Sequence, residues 1–348
     1  MRKPTVHDIA RASGYSLATV DRVLNRRPGV RPATVEAVQK TVSDLGYVRD
    51  ISAANLSSGR IYRIAFILPE GRSSFLRSLR AEISDRAARG VADRLAITLQ
   101  HVPPFDGRAL GEALKAHSQD TVDSIILIGT ADDTLEAEIE RLASEGVPTL
   151  TLVSDLGESK RRHYIGIANR SAGRAAAALL GRMMPPRAKV AVLAGSLRLK
   201  DHRDRLAGFQ AVLAEEFPEA EIVAVLEGQD DETLCQTLVA ECLSEHAGLD
   251  GLYSLGAGNR GVATALSAAA RPIRVIAHEL TPVARGALRS GLFDAVLHQC
   301  PRREVDACIR LSKSLVDGTP IAPEDADIRT EIFLRDTMPP LFATERPA

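Results

Sequence analysis

The chain has 348 residues, with 44 Lys/Arg, 45 Asp/Glu, a formal net charge of −1, 45% hydrophobic and 26% charged residues. That is the balance of an ordinary globular protein with room for two or three cores, and no apolar run approaches the ~20 residues of a membrane span. The N-terminus lacks an apolar signal core, and Cys235, Cys242, Cys300 and Cys308 match no zinc or redox spacing. A cytoplasmic protein with reduced cysteines, no metal and no cofactor is expected.

The charge is unevenly spread: residues 1–60 hold ten Lys/Arg against five Asp/Glu, and the remainder holds 34 against 40. A basic head on an acidic body suits a polyanion partner for the head. Thr5 and Asp8 stand in capping-box spacing, Val6, Ile9 and Ala10 form one apolar face, and Gly14 ends a first predicted helix. Tyr15 and Ser16 open a second helix carrying Val20, Val23 and Leu24 inward. After a loop at 26–30, Pro32 starts a third helix lined by Val35, Val38, Val42 and Leu45, and Gly46 follows at its C-terminal end. Helix, tight turn and helix make a helix-turn-helix layout.

On the second helix Leu17, Ala18, Asp21 and Arg22 face outward, where Arg22 can pair with a guanine and Leu17 or Ala18 can touch a thymine methyl. Thr5, Thr19, Asn25, Thr34 and Tyr47 carry hydroxyl or amide groups suited to phosphates. The stretch 51–59 has alanines and one leucine at helical spacing and reads either as a linker or as a short helix.

The residues T-V-x-D-I-A (5–10), those at 12–16, A-T-V-D-R-V-L-N (18–25), G-V-R-P-x-T (29–34), L-G-Y (45–47) and A-x-x-L (53–56) closely resemble the lactose-repressor (LacI) family of bacterial transcription regulators. The resemblance implies a DNA-binding domain over 1–50 whose second helix reads the major groove of double-stranded operator DNA. It implies a hinge helix over 51–60 that orders on the operator, with Ala53 and Leu56 at the minor groove and Leu56 wedged into a base step. The family usually has serine where this chain has Asp21. A carboxylate there either accepts from a cytosine amine or pairs with Arg22 or Arg26.

From Tyr62 the pattern changes to alternating strands and helices, with apolar strand-like runs at 62–68, 95–100, 124–129, 149–153, 164–167, 189–194, 222–227, 251–256, 274–277 and 293–299. Such an order predicts parallel sheets covered by helices, and ten strands favour two lobes over one sheet. The fold class is therefore a small all-α helix-turn-helix head plus an α/β two-lobed core. That core resembles the type I periplasmic sugar-binding protein fold. The resemblance implies a ligand-sensing core over 61–338, with one lobe from 61–167 and 299–325, the other from 169–297 and 327–338, and a tail at 339–348. Crossovers are expected near Ala168, His298 and Asp327.

A ligand in this fold binds between the lobes, at the carboxyl ends of the strands. The candidate contacts are Glu70, Arg72 and Phe75 after the first strand, Asp155 after the fourth, and Arg205 in an R-x-x-G-F motif. They continue with Asn259 after the 251–256 strand, Glu279 after RVIAH, and Gln299 at the last crossover. Phe75 serves equally well as a core aromatic. Donors and carboxylates with few aromatics (no Trp, five Tyr, eight Phe) suit a sugar, sugar acid, polyol or similar small effector.

Two rival classes are weighed. His202, Asp204, His278 and Glu279 could form acid–base pairs, but no nucleophile elbow, P-loop or metal spacing accompanies them, so no enzyme is expected. A transporter-type solute-binding protein lacks a use for the head. The expected protein is an effector-controlled repressor, or alternatively an activator, that binds a near-palindromic operator as a homodimer. No leucine heptads follow FLRDTM at 333–338, and a dimer rather than a tetramer is expected.

Overall fold

The computed structural model describes residues 4–24, 28–47, 60–71, 73–256, 258–322 and 325–340; Asn25, Ala53, Leu56 and Arg72 lie outside the described residues. The chain divides into two units, Met1–Arg60 and Ile61–Ala348. Among the described residues no helix is long and apolar enough to cross a membrane, and no disulfide joins the four cysteines.

The head holds three helices, α1 (Val6–Ser13), α2 (Leu17–Leu24) and α3 (Pro32–Asp44). Its N-terminal capping box is closed on both sides. The Asp8 amide donates to the Thr5 hydroxyl at 3.3 Å, while the Thr5 amide and hydroxyl donate to Asp8 Oδ2 at 2.9 and 2.7 Å. At the start of α2 the Ser16 hydroxyl accepts from the Thr19 amide at 3.2 Å. The end of α3 is a Schellman motif: the Gly46 amide donates to Ser43 and the Tyr47 amide to Val42, both at 3.0 Å. Gly46 sits at φ +58°, where a side chain would be strained. Ile9, Val20, Val23 and Val38 form the buried centre, with Val6, Ala10, Tyr15, Leu24, Val35, Val42 and Tyr47 packed around it. The expectation for Leu45 fails: α3 ends one residue earlier, and Leu45 is 36% exposed.

The second unit runs β1 (Tyr62–Pro69), α4 (Ser74–Ala88), α5 (Gly90–Asp93), β2 (Leu95–Val102), α6 (Gly107–Leu114), β3 (Ser124–Leu127), α7 (Asp133–Ser144), β4 (Thr149–Leu152) and β5 (His163–Ile165). It continues through α8 (Asn169–Met183), β6 (Lys189–Ala194), α9 (Lys200–Glu216), β7 (Glu221–Glu227), α10 (Glu232–Glu245), β8 (Leu249–Ser254), α11 (Asn259–Ser267), β9 (Arg274–His278) and α12 (Pro282–Ser290). It closes with β10 (Ala295–His298), α13 (Pro301–Asp317) and β11 (Glu331–Phe333). One sheet has the order β2-β1-β3-β4-β5, all parallel. The other, β7-β6-β8-β9-β10, repeats that order and adds β11 as an antiparallel edge. This is the predicted two-lobed parallel architecture. Each strand order reverses beside its first strand, which opens a crevice at the carboxyl ends.

Burial on both faces explains the near-continuous apolar strands: six of the eight residues of β1 are buried. Phe66, Leu79, Ile83, Phe209 and Tyr253 belong to one apolar cluster that includes residues from both lobes, while separate clusters fill the far face of each sheet. Each such large side chain contributes about 1.5–3 kcal/mol. Helix α13 lies against the first lobe, where Ser312 Oγ is 3.0 Å from Ser124 Oγ and Asp317 accepts from the Tyr62 hydroxyl at 2.7 Å. Helices α8 and α9 meet backbone to backbone. A Cβ on Gly173 would lie 1.9 Å from the Arg205 carbonyl oxygen, and one on Gly208 would lie 2.0 Å from that of Arg170.

Candidate functional site

Helix α2 of the head presents an exposed face. Val20 and Val23 turn inward from α2, which leaves Leu17 (43% exposed), Ala18, Asp21 and Arg22 on the surface. Three of the flanking groups have local roles. The Thr5 hydroxyl is engaged in the capping box, Thr19 Oγ1 lies 2.9 Å from Ser16 Oγ, and Tyr47 packs on the head's core. Thr34 is half-buried in the first turn of α3. The candidates Asn25, Ala53 and Leu56 fall outside the described residues.

In the second unit a cavity of about 220 Å³ opens between the lobes at the carboxyl ends of the strands. The first lobe supplies Pro69, Glu70, Phe75, Leu76, Val102, Pro103, Pro104, Phe105, Leu110, Ile128 and Val153, with the polar Ser73, Asp106, Thr130 and Ser154. The second lobe supplies Leu199, Asp201, His202, Arg205, Gln229, Asp230, Asp231, Gly256 and Glu279, and the last crossover supplies Gln299. Of the predicted contacts, Glu70, Phe75, Arg205, Glu279 and Gln299 line this cavity. Phe75 does so while also packing against the core. Arg72 falls outside the described residues.

Two predicted contacts do not line this cavity. The Asp155 carboxylate accepts from the Thr151 hydroxyl at 2.7 Å and from Arg161 at 2.5 Å. The cause is a tight turn: Val153 sits at φ +64°, and the Ser154 amide bends back to the Leu152 carbonyl at 2.7 Å. Ser154 therefore faces the cavity instead. Asn259 is absorbed internally, donating to the His278 carbonyl at 2.7 Å and accepting from the Ser254 hydroxyl at 3.2 Å. It lines only a side pocket of about 30 Å³ among the described residues.

Arg205 is the best-anchored group of the cleft. At 2% exposure, its Nε donates to Asn169 Oδ1 and one terminal nitrogen to the Leu255 carbonyl, both at 2.8 Å. Its Nη2 has no hydrogen-bond partner. One turn earlier on the same helix, Asp201 is 3% exposed, and its Oδ1 likewise lacks a partner. Its Oδ2 is 3.9 Å from Arg205 Nη2 and 3.7 Å from His202 Nε2. The Gln299 amide donates to Glu279 at 2.9 Å while its Oε1 is unpartnered, and so is the buried Ser154 hydroxyl. Buried polar atoms are almost always paired, so four orphans around one cavity mark a place for a polar ligand.

The backbone supports that reading. Seven described non-glycine residues have positive φ, and five of them, Phe105, Val153, Gln229, Asp230 and Glu279, line this cavity. Each left-handed residue costs about 1–2 kcal/mol, and strain of this kind collects at functional sites. A hydrogen-bond chain also crosses between the lobes. Arg205 donates to Asn169, whose amide donates to the Tyr164 hydroxyl at 2.9 Å, which lies 3.0 Å from the Val153 carbonyl oxygen.

Beneath the cleft, burial would lower the His298 pKa, but hydrogen bonds with Cys300 and Glu279 raise it to about 9. Glu304, fully buried with neither carboxylate oxygen partnered, has its pKa pushed well above the ordinary glutamate value by burial and then by Glu279. The folded protein thus holds a proton on Glu304 that the unfolded chain releases above about pH 4.3. The sign follows: Glu304's contribution to stability is greatest below that pH and is lost as pH rises, until Glu304 ionises in the fold. Glu304→Gln is expected to raise the urea midpoint more at pH 8 than at pH 5. Equal shifts at both values would remove the argument.

Sequence reasoning passed over Asp201, Ser154, Asp230 and Phe105. Asp201 had a usable signal, lying four residues before Arg205 and so on the same helix face. The two histidines of the possible acid–base pairs, His202 and His278, are both buried. His202 is held by the Ser196 backbone at 3.0–3.1 Å. His278 is fully buried, 2.8 Å from the Tyr253 hydroxyl, and burial lowers its pKa well below the ordinary value. Asp204 pairs with Lys200 at 2.5 Å on the surface side of α9.

Comparison with known proteins gives two family matches: bacterial regulatory proteins, lacI family, over residues 5–50, and periplasmic binding protein domain over 64–320. The regulator DegA of Bacillus subtilis is 28% identical over 154 residues, 44% of each chain. Catabolite control protein A of Priestia megaterium is 36% identical over 83 residues, 24% of this chain and 25% of that one. The regulator CelR of Thermobifida fusca is 26% identical over 223 residues, 61% of this chain and 62% of the relative. The chain thus spans between a quarter and two thirds of these relatives' lengths. A solute-binding protein of Burkholderia graminis in complex with D-arabinose matches with TM-score 0.70 at 20% identity, covering 80% of this chain and 96% of the other. One from Actinobacillus succinogenes with bound D-allose gives TM-score 0.68 at 17% identity, covering 79% and 98%. At these identities the structural likeness speaks for the fold.

Proposed function

The chain belongs to the lacI family of bacterial regulatory proteins, with a periplasmic binding protein domain as its body, and from that membership we propose that it regulates transcription by binding an operator under the control of a small effector. Leu17, Ala18, Asp21 and Arg22 meet base edges in the major groove, and Thr5, Thr19, Asn25, Thr34 and Tyr47 meet the backbone. Ala53 and Leu56 act at the minor groove. The protein works in the cytoplasm as a homodimer on a near-palindromic operator, and its default outcome is repression.

The observation that carries the reading is the presence, in one chain, of an exposed α2 face and a cleft with four buried orphan polar atoms. The effector binds there, against Glu70, Phe75, Arg205, Glu279 and Gln299, with Arg72 as a further contact and Asn259 at the adjoining pocket. It shifts the balance between DNA-competent and incompetent arrangements only through its differential affinity for them. The chain from Arg205 through Asn169 and Tyr164 to Val153 offers a route by which the cleft feels that difference.

Selection of bound duplexes from a random pool tests the proposal. Half-sites about one helical turn apart are expected, and recovery of no sequence preference would end the reading. Leu56→Ala is expected to weaken binding to the selected operator at least tenfold while leaving binding to random DNA within twofold. Equal losses would remove the wedge role. A transporter component would need no head of this kind, and the buried His278 and surface-paired Asp204 argue against catalysis.

A further inference from the structure

The two walls of the cleft are chemically unlike. The first-lobe wall is mostly apolar: Leu76, Val102, Phe105, Leu110, Ile128 and Val153 line it, together with prolines 69, 103 and 104. Of its polar groups, the Ser73 hydroxyl and the Asp106 carboxylate are engaged in capping α4 and α6, while Glu70, Thr130 and the unpartnered Ser154 hydroxyl also line it. The second-lobe wall is almost wholly polar, with Leu199 as its one large apolar side chain among the described residues. The orphan atoms at the polar side are one donor, Arg205 Nη2, and two acceptors, Asp201 Oδ1 and Gln299 Oε1. All three belong to residues no more than 3% exposed.

We infer that the effector is an uncharged two-faced molecule: a hydroxyl-bearing head with an apolar substituent, such as a deoxy sugar, an alkyl or aryl glycoside, or a nucleoside. This rests on the proposed role of the cleft and narrows it. A vicinal diol answers the polar wall, with one oxygen accepting from Arg205 and two hydroxyls donating to Asp201 and Gln299. A bare polyol would place hydroxyls against Leu110 and Ile128, which offer no partner, and each buried unpaired hydroxyl weakens binding. An anion is disfavoured. Among the described residues the cavity is lined by six carboxylates (Glu70, Asp106, Asp201, Asp230, Asp231 and Glu279), with Arg205 and the His298 behind Glu279 as the facing cations. The N-termini of α6, α9 and α10, which would attract an anion, already hold Asp106, Asp201 and Asp231.

The test is titration calorimetry on the full chain with matched sets. Each of several hexoses and pentoses is offered free, as its deoxy form, as its methyl and phenyl glycosides, as its phosphate and as its acid, with the four common ribonucleosides as a further arm. In at least one set the apolar-substituted member, or one nucleoside, is expected to bind at least tenfold more tightly than the free sugar, and phosphates and acids to bind worst. The arm that wins identifies the source of the apolar group. Phe105→Ser is expected to weaken the substituted member more than the free sugar, and Asp201→Asn to weaken both. A free sugar, sugar acid or sugar phosphate that binds as tightly as the best substituted member overturns the inference, as does silence across the panel. If that free sugar is lost in Arg205→Ala, the cleft still holds the effector and only its two-faced character fails. Binding untouched by both Arg205→Ala and Asp201→Asn would overturn the cleft assignment itself.

Discussion

Arg205→Ala is expected to lower effector affinity at least a hundredfold and to destabilise the second unit by about 2–4 kcal/mol. Both losses come from one side chain with three tasks. It satisfies Asn169 Oδ1 and the Leu255 carbonyl, stands 3.9 Å from the buried Asp201 carboxylate, and lines the cavity with one nitrogen still without a partner. Alanine leaves two acceptors unpaired and a carboxylate buried among them. Arg205→Lys is expected to keep the charge but not the fork, since one ammonium cannot reach Asn169, Leu255 and a ligand together. Adding Asp201→Ala to Arg205→Ala is expected to return part of the stability and none of the binding. Urea melts and calorimetry on the three variants read the two effects separately, and full ligand binding by Arg205→Ala would contradict the site.

Gly173→Ala is expected to be among the most damaging single-methyl changes in the protein, costing roughly 3 kcal/mol or more. The new Cβ would fall 1.9 Å from the Arg205 carbonyl oxygen, which is backbone and cannot rotate away. Helices α8 and α9 would have to part, moving Arg205 and Asp201 with α9 and Asn169 with α8. Effector affinity should therefore fall with stability. Gly286→Ala on the exposed side of α12 is the control, since its Cβ meets nothing within 4 Å. There the ordinary helix preference is expected to stabilise by about 0.5–1 kcal/mol. Equal behaviour of the two variants in urea melts would show that α8 and α9 do not rely on close contact.

The sequence patterns that carried furthest are those in which local chemistry and tertiary structure ask for the same residue. Thr5 and Asp8 close the capping box, and Gly46 and Tyr47 close the Schellman motif, through bonds a few residues apart. All ten predicted strands form: the inner ones, such as β1, β3, β4 and β6, are apolar runs buried on both faces, whereas the edge strands β2 and β7 are mostly half-buried or exposed and are marked by their apolar content alone. Strand β11 escaped notice because Glu331–Phe333 is a three-residue edge with only half-buried and exposed positions, so it bears no apolar signature. The cleft was less legible. Arg205 and Gln299 stood at places marked by motif and crossover, whereas Asp155 was displaced by the left-handed backbone at Val153, a non-glycine conformation that composition does not announce. Asp230 approaches the cleft because Gly195 has no side chain: a Cβ there would lie 2.1 Å from Asp230 Oδ1. That neighbour stands 35 residues earlier, and no periodicity links the two.

The first lobe takes its covering helix α13 from residues 301–317, so a sheet begun at Tyr62 lacks one of its packing partners until nearly the whole chain exists. The other lobe has ten of its elements in the continuous stretch from Asn169 to His298, adding only β11 afterwards. Vectorial synthesis therefore inverts the order of completion: the later-made lobe matures first, while the part of β1, β3 and β4 that α13 covers stays open on the ribosome. Slow parallel pairing and an open apolar face are the conditions under which nascent chains aggregate. Truncation before residue 301 is accordingly expected to yield insoluble protein even though the helix-turn-helix and every strand but β11 are present.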